Sequence, residues 1–225
     1  LQEVLRLGLV PHQLLASAAW IERHGALLAA CPTAVQPVGE EVLAAVATTE
    51  HPDGVVLTLA SEALPPARGA GSFVLALDQL QDPGNLGTLL RTALAAGVEE
   101  VWLGGGADPL QPKVLRASAG AALALPLRRA PDRAGLLPWL EQARSRGLQL
   151  VATVVAGGQA EPYWQLDWSR PTVLLLGNEG AGLDPQLAAL ASHRVTIPHS
   201  AAVESLNVAV AAAPLLLERW RQERM

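Results

Sequence analysis

Apolar residues follow two different rhythms along this chain. Up to about residue 60, helical spacing alternates with short β-branched runs; beyond residue 72, unbroken apolar runs alternate with amphipathic stretches. Helices are predicted over residues 4–9, 13–28 and 39–48, with a short strand at 34–35 and a longer one at 55–59. SEALPPARGAG (residues 61–71) breaks every period with its prolines and glycines and reads as a linker. FVLALD at 73–78 is a continuous apolar run, as expected of a strand buried on both faces. After it come a helix over 85–96 ended by Gly97, a strand over 98–103, and helices over 113–119 and 133–146. Strands follow over 148–155, 172–176 and 195–197, and an alanine-rich helix opens at Glu204-Ser205, its apolar part spanning 208–220. Strands alternating with helices predict an α/β fold: a mostly parallel sheet flanked by helices, preceded by a small N-terminal α/β domain. The expected boundaries are 1–60 for the small domain, 61–71 for the linker and 72–225 for the large domain.

Three segments at strand ends carry polar residues that packing alone does not demand. In DPGNLGTLLRTALAAG (82–97), Pro83-Gly84 turns the chain and Asn85 is suited to cap the helix that follows. Arg91 lies six residues further on, near two helical turns, so both side chains can address a site beyond the strand end. Read alone, this is a capped helix with a surface arginine. In LLLGNEGAGL (174–183), Gly177, Gly180 and Gly182 allow close backbone approach around Glu179, but the Lys-Ser/Thr of a phosphate-binding P-loop is missing. In VTIPHSAAVESLNVAVAAA (195–213), Pro198 stops a strand and Ser205 and Asn207 fall in the first turn of the expected helix. Their side chains and the free amides of that turn can bind a ligand, though a plain serine cap also accounts for them.

Together and in this order, the three segments closely resemble motifs 1, 2 and 3 of the SpoU/TrmH family of RNA ribose 2′-O-methyltransferases, in the SPOUT superfamily. The resemblance covers roughly the last two thirds of the chain. It implies a catalytic domain with a deep C-terminal trefoil knot, S-adenosyl-L-methionine as methyl donor, and a homodimer with active sites at or near the subunit interface. The expected catalytic set is Arg91, Asn85, Glu179, Ser205 and Asn207. Arg91 would deprotonate or orient the ribose hydroxyl, or stabilise the forming alkoxide; a guanidinium is normally locked in its charged form. Leu176, Gly177, Gly182, Ile197, His199 and Leu206 would hold the cofactor. His199 stands where the family usually has methionine, and Ala201 where it commonly has glycine. Lys113, Arg116 and Ser118 match a weaker family stretch that faces RNA or stabilises its own turn. The region before Ser61 resembles the family's small L30e-like substrate-binding domain, which favours ribosomal RNA over transfer RNA as the target.

Charge narrows where RNA can bind. The formal charge is −5, with −4 carried by residues 1–70 and −1 by the rest, so a basic face has to be local. Lys113, Arg116, Arg128, Arg129 and Arg133 oppose only Asp132 between residues 113 and 133, although a solvated surface explains 128–133 equally well. The single cysteine, Cys31, excludes an internal disulfide and a multi-cysteine zinc site, and reads as a buried thiol. The five histidines lack metal-ligand spacing, and no metal is expected. Trp164 and Trp168 border a loop and could stack on bases, but packing is the stronger explanation. No apolar run reaches about eighteen residues and no signal pattern opens the chain, so a cytoplasmic protein without a membrane partner is expected. The chain opens on Leu1 inside a helical pattern, and a native start upstream is expected.

Two other function classes fit parts of the pattern. A dinucleotide-binding oxidoreductase would share the alternation, but LGGGADPL (103–110) has glycines without the G-x-G-x-x-G spacing. A non-catalytic RNA-binding or assembly protein on the same fold has no need of the Asn85, Arg91, Glu179, Ser205 and Asn207 set.

Overall fold

Proline and glycine between the two rhythms coincide with a division of the chain into two compact units, Leu1–Pro65 and Pro66–Met225. The computed structural model describes residues 1–49, 51–69, 71–155 and 160–224. Ala70, inside the expected linker, and Met225, at the end of the expected large domain, lie outside the described residues.

The first unit runs α1 (Gln2–Arg6), β1 (Gln13–Ala16), α2 (Ala18–Arg23), α3 (Gly25–Ala29), β2 (Gln36–Pro37), α4 (Glu40–Val46) and β3 (Val55–Thr58). The central β1 pairs parallel with β2 and antiparallel with β3. The single helix expected over 13–28 is therefore a strand and two short helices. Ser17 decides this: its backbone is extended and its Oγ accepts from the Trp20 amide at 3.3 Å, so α2 starts at Ala18. Residues 13–16, freed from the helix, join two ladders with Leu14 and Ala16 buried. The short strand sits at 36–37 rather than 34–35, and Cys31 is half-buried rather than buried.

The second unit runs β4 (Phe73–Asp78), α5 (Pro83–Ala95), β5 (Glu100–Gly104), α6 (Pro112–Ser118), α7 (Ala121–Ala124), β6 (Leu127–Ala130), α8 (Leu136–Ser145) and β7 (Gln149–Thr153). It continues through β8 (Glu161–Pro162), β9 (Thr172–Leu176), α9 (Pro185–Leu190), β10 (His193–Thr196) and α10 (Val208–Gln222). The sheet order is β6-β5-β4-β9-β7-β10-β8, with every pairing parallel. Period-two alternation splits the central strands between two cores. Phe73, Leu75, Leu77, Leu174 and Leu176 join the layer containing residues of α5, α6, α7 and α10. Val74, Ala76, Val173 and Leu175 join the layer containing residues of α8 and α9. At roughly 2 kcal/mol for each large apolar side chain removed from water, these two layers dominate the stability of the unit.

One unexpected strand and two shifted helix starts have local reasons. β6 reads LRRA, too polar for its strand character to stand out. The helix expected from 133 begins at Leu136, after a 3₁₀ turn at Arg133–Gly135 capped by Asp132. The last helix begins at Val208, not at 204–205, because Asn207 is its cap. α5 and α6 cross where Gly87 has no side chain: a Cβ there would lie 2.5 Å from Ala117 Cβ and 2.9 Å from the Val114 carbonyl oxygen. Among the described residues, no helix is long and apolar enough to cross a membrane, and no group of three or more His, Cys, Asp or Glu could hold a metal.

Candidate active site

In an open parallel sheet, ligands bind outside the C-terminal strand ends where the connections diverge. Here β4 leads through α5 to β5 on one side, while β9 lies against its other side. The chain after β4 turns at Pro83, and Asp82, not Asn85, caps α5: its Oδ1 accepts from the Asn85 amide at 2.7 Å. Asn85 is thereby the third residue of the helix, its side chain free for other work.

That work is to join three distant segments. Glu179 Oε1 accepts from Asn85 Nδ2 at 3.2 Å, and Asn85 Oδ1 accepts from Asn207 Nδ2 at 3.0 Å. Asn207 Oδ1 in turn accepts from the amides of Ala209 and Val210, at 2.9 and 3.3 Å. Both ends of this chain of bonds are fixed: an ionised carboxylate only accepts, and helix amides only donate. Each intervening amide can therefore face only one way. One hydrogen on Asn85 Nδ2 and one on Asn207 Nδ2 are left over, alongside the unused lone pairs of Glu179. Such a group can orient a hydroxyl and stabilise oxygen charge as it develops.

The loop carrying Glu179 is a closed hairpin. Asn178 and Gly182 exchange both backbone hydrogen bonds, each 3.0 Å, and Asn178 Oδ1 accepts from the Gly180 and Ala181 amides. Gly182 takes a left-handed backbone, φ +69. The hairpin is anchored at both roots. Asn178 Nδ2 donates to the Gln79 carbonyl at 2.8 Å, and the Asp184 amide donates to Asp78 Oδ2 at 3.0 Å. Gln79 itself is left-handed, φ +51, which costs about 1 kcal/mol in a residue with a side chain.

Asp78, Gln79, Asn178 and Asp184 were not among the expected site residues. Asp78 gave a signal, a charged residue closing an otherwise apolar strand, and it is 1% exposed. Its partner is Arg133, expected in the basic patch but turned inward. Arg133 Nη1 donates to Asp184 Oδ2 at 2.7 Å and Nη2 to Gln79 Oε1 at 2.9 Å. Its Nε lies 3.2 Å from Asp78 Oδ1, close enough to pair by charge but angled so that neither atom gains a hydrogen bond.

Burial pushes the Asp184 carboxyl up, but amides of Gln186 and Leu187 and the Arg133 guanidinium outweigh it and hold the carboxyl below its ordinary value. A depressed carboxyl stabilises the folded chain above about pH 4, and the contribution is lost as pH falls through the lower folded value. Asp184→Asn keeps a side chain able to cap α9. The gap between wild-type and variant unfolding free energies should therefore shrink from pH 7 to pH 3. A gap that stays constant in urea titrations would assign the effect to geometry rather than charge.

The remaining expected residues are spread more widely. Arg91 is exposed in the middle of α5 and, among the described residues, makes no hydrogen bond or ion pair. Ser205 is exposed in the loop before α10, outside the turn that it was expected to share with Asn207. Leu176 is buried at the end of β9, with Gly177 and Gly182 in the hairpin. Ile197 is half-buried against the larger core, its carbonyl 2.7 Å from His199 Nδ1; Leu206 is half-buried beside Asn207. Beside Ile197, the buried Thr196 Oγ1 has no hydrogen-bond partner among the described residues; sequence reasoning missed this residue.

The basic residues divide too. Lys113 and Arg116 are exposed on α6, with Lys113 Nζ 4.0 Å from Asp82. Arg128 lies 4.1 Å above the Trp139 ring, and Arg129 pairs with Asp108 at 3.1 Å. Ser118 is buried, its Oγ bonded to the Leu115 carbonyl within its own turn. Trp168 is fully buried and donates to the Tyr163 carbonyl, whereas Trp164 is half-exposed.

Comparison with known proteins identifies the family. Residues 72–217 match the model of the SpoU rRNA Methylase family. An uncharacterised tRNA/rRNA methyltransferase of Synechocystis is 47% identical over 83% of this chain and 67% of its own length. The 23S rRNA (guanosine(2553)-2′-O)-methyltransferase of Bacillus subtilis is 37% identical over 80% of this chain and 69% of its own length. The AdoMet-bound rRNA methyltransferase structure from Sinorhizobium meliloti superposes with a TM-score of 0.79 at 34% identity, covering 98% of this chain and 85% of that one. With motif-bearing loops meeting at the C-terminal strand ends and a family match over most of its length, the chain belongs to the SpoU rRNA methylase family.

Proposed function

We propose that this chain transfers the methyl group of S-adenosylmethionine to a ribose 2′-hydroxyl of RNA, with ribosomal RNA as the substrate and transfer RNA the other candidate. The bond chain from Glu179 through Asn85 to Asn207 carries the reading, because it unites all three motifs around a set of directed donors and acceptors. A ribose hydroxyl is a weak nucleophile and must shed its proton as the oxygen is methylated. Asn85 and Asn207 supply donors for the developing oxygen charge, Glu179 fixes their orientation, and Ser205 lies two residues before Asn207 to reach the hydroxyl. Arg91 stabilises the alkoxide or handles its proton.

The residues fit S-adenosylmethionine. The Thr196 hydroxyl beside Ile197, unpartnered among the described residues, offers a polar contact, and a Cβ at Gly182 would meet nothing within 4 Å, leaving that side of the hairpin open to a ligand. Leu176, Gly177, Gly182, Ile197, His199 and Leu206 would hold it. Bound there, it supplies an electrophilic methyl group. Lys113 and Arg116 grip RNA phosphate from α6, with Arg128 and Arg129 at the sheet edge as secondary contacts. The same reading takes residues 1–60 as the substrate-binding domain, 61–71 as linker and 72–225 as the knotted catalytic domain of a cytoplasmic homodimer. Leu94, Val210 and Leu217, all exposed, would form the apolar face covered in that dimer.

The test is transfer of radiolabel from S-adenosylmethionine to unmodified total RNA, followed by digestion to nucleosides. Label in a 2′-O-methylnucleoside is expected. Cofactor and RNA binding without label would favour the non-catalytic RNA-binding reading, and absence of cofactor binding would overturn the methyltransferase reading.

A further inference from the structure

We propose that Arg133, outside all three motifs, is the residue that positions Glu179: one guanidinium ties together both roots of the hairpin on which Glu179 stands. The inference rests on the reading of Glu179, Asn85 and Asn207 as the reacting site. Arg133 bonds the Gln79 side chain, whose own carbonyl holds Asn178 at the entry to the hairpin. It also bonds Asp184 at the exit, and it neutralises Asp78, which holds the Asp184 amide.

The surrounding chain is shaped to deliver it. Arg133 comes from beyond β6, two strands away from β4, and must pass over the end of β5. Gly104 closes β5, and a Cβ there would lie 2.5 Å from Leu136 Cδ1 and 3.2 Å from Arg133 Cα. A Cβ at Gly135 would lie 2.4 Å from Ala130 Cβ. Both glycines let the 133–136 turn press against the sheet end. The left-handed Gln79 is a strained position that persists because its carbonyl and its side chain are each engaged. An ordinary structural ion pair needs one partner; this guanidinium has three, Asp78 and Gln79 at one root of the hairpin and Asp184 at the other, and its planar fork suits that geometry where an ammonium does not.

The experiment compares Arg133→Gln and Arg133→Lys, each alone and combined with Glu179→Ala. Lysine keeps the charge beside buried Asp78, so that variant remains folded if glutamine does not, yet it cannot span three partners. The first readout is hydrogen exchange of residues 177–184 against peptides from β4 and β7, which needs no activity. Exchange in the hairpin should rise about tenfold in both variants while the strand peptides hold. The second is single-turnover transfer at saturating S-adenosylmethionine and RNA. It should fall about 10- to 100-fold, as expected for a misplaced catalytic group. In the Glu179→Ala background the same substitution should add no more than about twofold, since it acts through the side chain already removed. Unchanged hairpin exchange, or rate losses that simply multiply, would overturn the positioning role. A wild-type chain that methylates no RNA would instead overturn the functional reading, and the exchange result would still decide whether Arg133 holds the hairpin.

Discussion

Arg91→Ala is expected to lower single-turnover methyl transfer by about 10³-fold while leaving the fold and the affinity for S-adenosylmethionine almost unchanged. The separation follows from where the residue sits. Arg91 is exposed on α5 and has no polar partner among the described residues, so its removal breaks no hydrogen bond or ion pair among them. Alanine is also the better helix former, and a surface change of this kind stays within about 0.5 kcal/mol. Any large loss of rate must then come from what Arg91 does to RNA or to the reacting oxygen. Calorimetric titration of cofactor, thermal unfolding and a transfer assay on one protein preparation check the three quantities together. Parallel loss of cofactor affinity and rate would make Arg91 a structural residue.

Gly177→Ala should be the most damaging single-methyl change in the site. A Cβ at Gly177 would lie 2.1 Å from the Leu183 nitrogen and 2.2 Å from the Gly182 carbonyl carbon. Both are backbone atoms, so no rotamer change relieves the clash and the hairpin has to open. Overpacking of this sort costs about 1–3 kcal/mol locally. Opening removes the Asn178–Gly182 pairing that presents Glu179, and transfer should fall at least 100-fold, with weakened cofactor binding. The two other glycines of the loop are the controls. A Cβ at Gly180 would meet only Asn178 Oδ1 at 3.7 Å, so Gly180→Ala should be near neutral. Gly182→Ala meets no atom but carries φ +69, a penalty of about 1 kcal/mol. If all three behave alike, steric closure of the hairpin is not what the glycines provide.

Much of the second unit was legible because its strands are buried on both faces. FVLALD is apolar up to its closing Asp78 and TVLLL is apolar after its opening Thr172, so composition alone marks them. The N-terminal QLLASAAWIER was misread for the opposite reason: Leu and Ala suit helix and strand alike, and only the Ser17 cap separates the two. The motif resemblance singled out Asn85, Glu179 and Asn207, and in the structure Asn85 bonds to each of the other two. The capping roles were not. Asp82 and Asn207 hold the helix starts expected of Asn85 and Ser205, because a helix begins where a side chain can reach amides two or three residues ahead. Arg133 was read as surface charge, since nothing local in PDRAG reveals that Asp78 and Asp184 lie across the sheet end from it.

Asn207 does two things with one side chain: its oxygen starts α10 and its nitrogen reaches Asn85. Fraying of the first turn of α10 and collapse of the polar cluster are consequently a single event, with one opening free energy. Whatever occupies the cluster must slow the exchange of the Ala209 and Val210 amides, though neither touches it, and whatever loosens that turn must erode the cluster by the same amount. The start of the last helix thus serves as a gauge of whether the site is assembled.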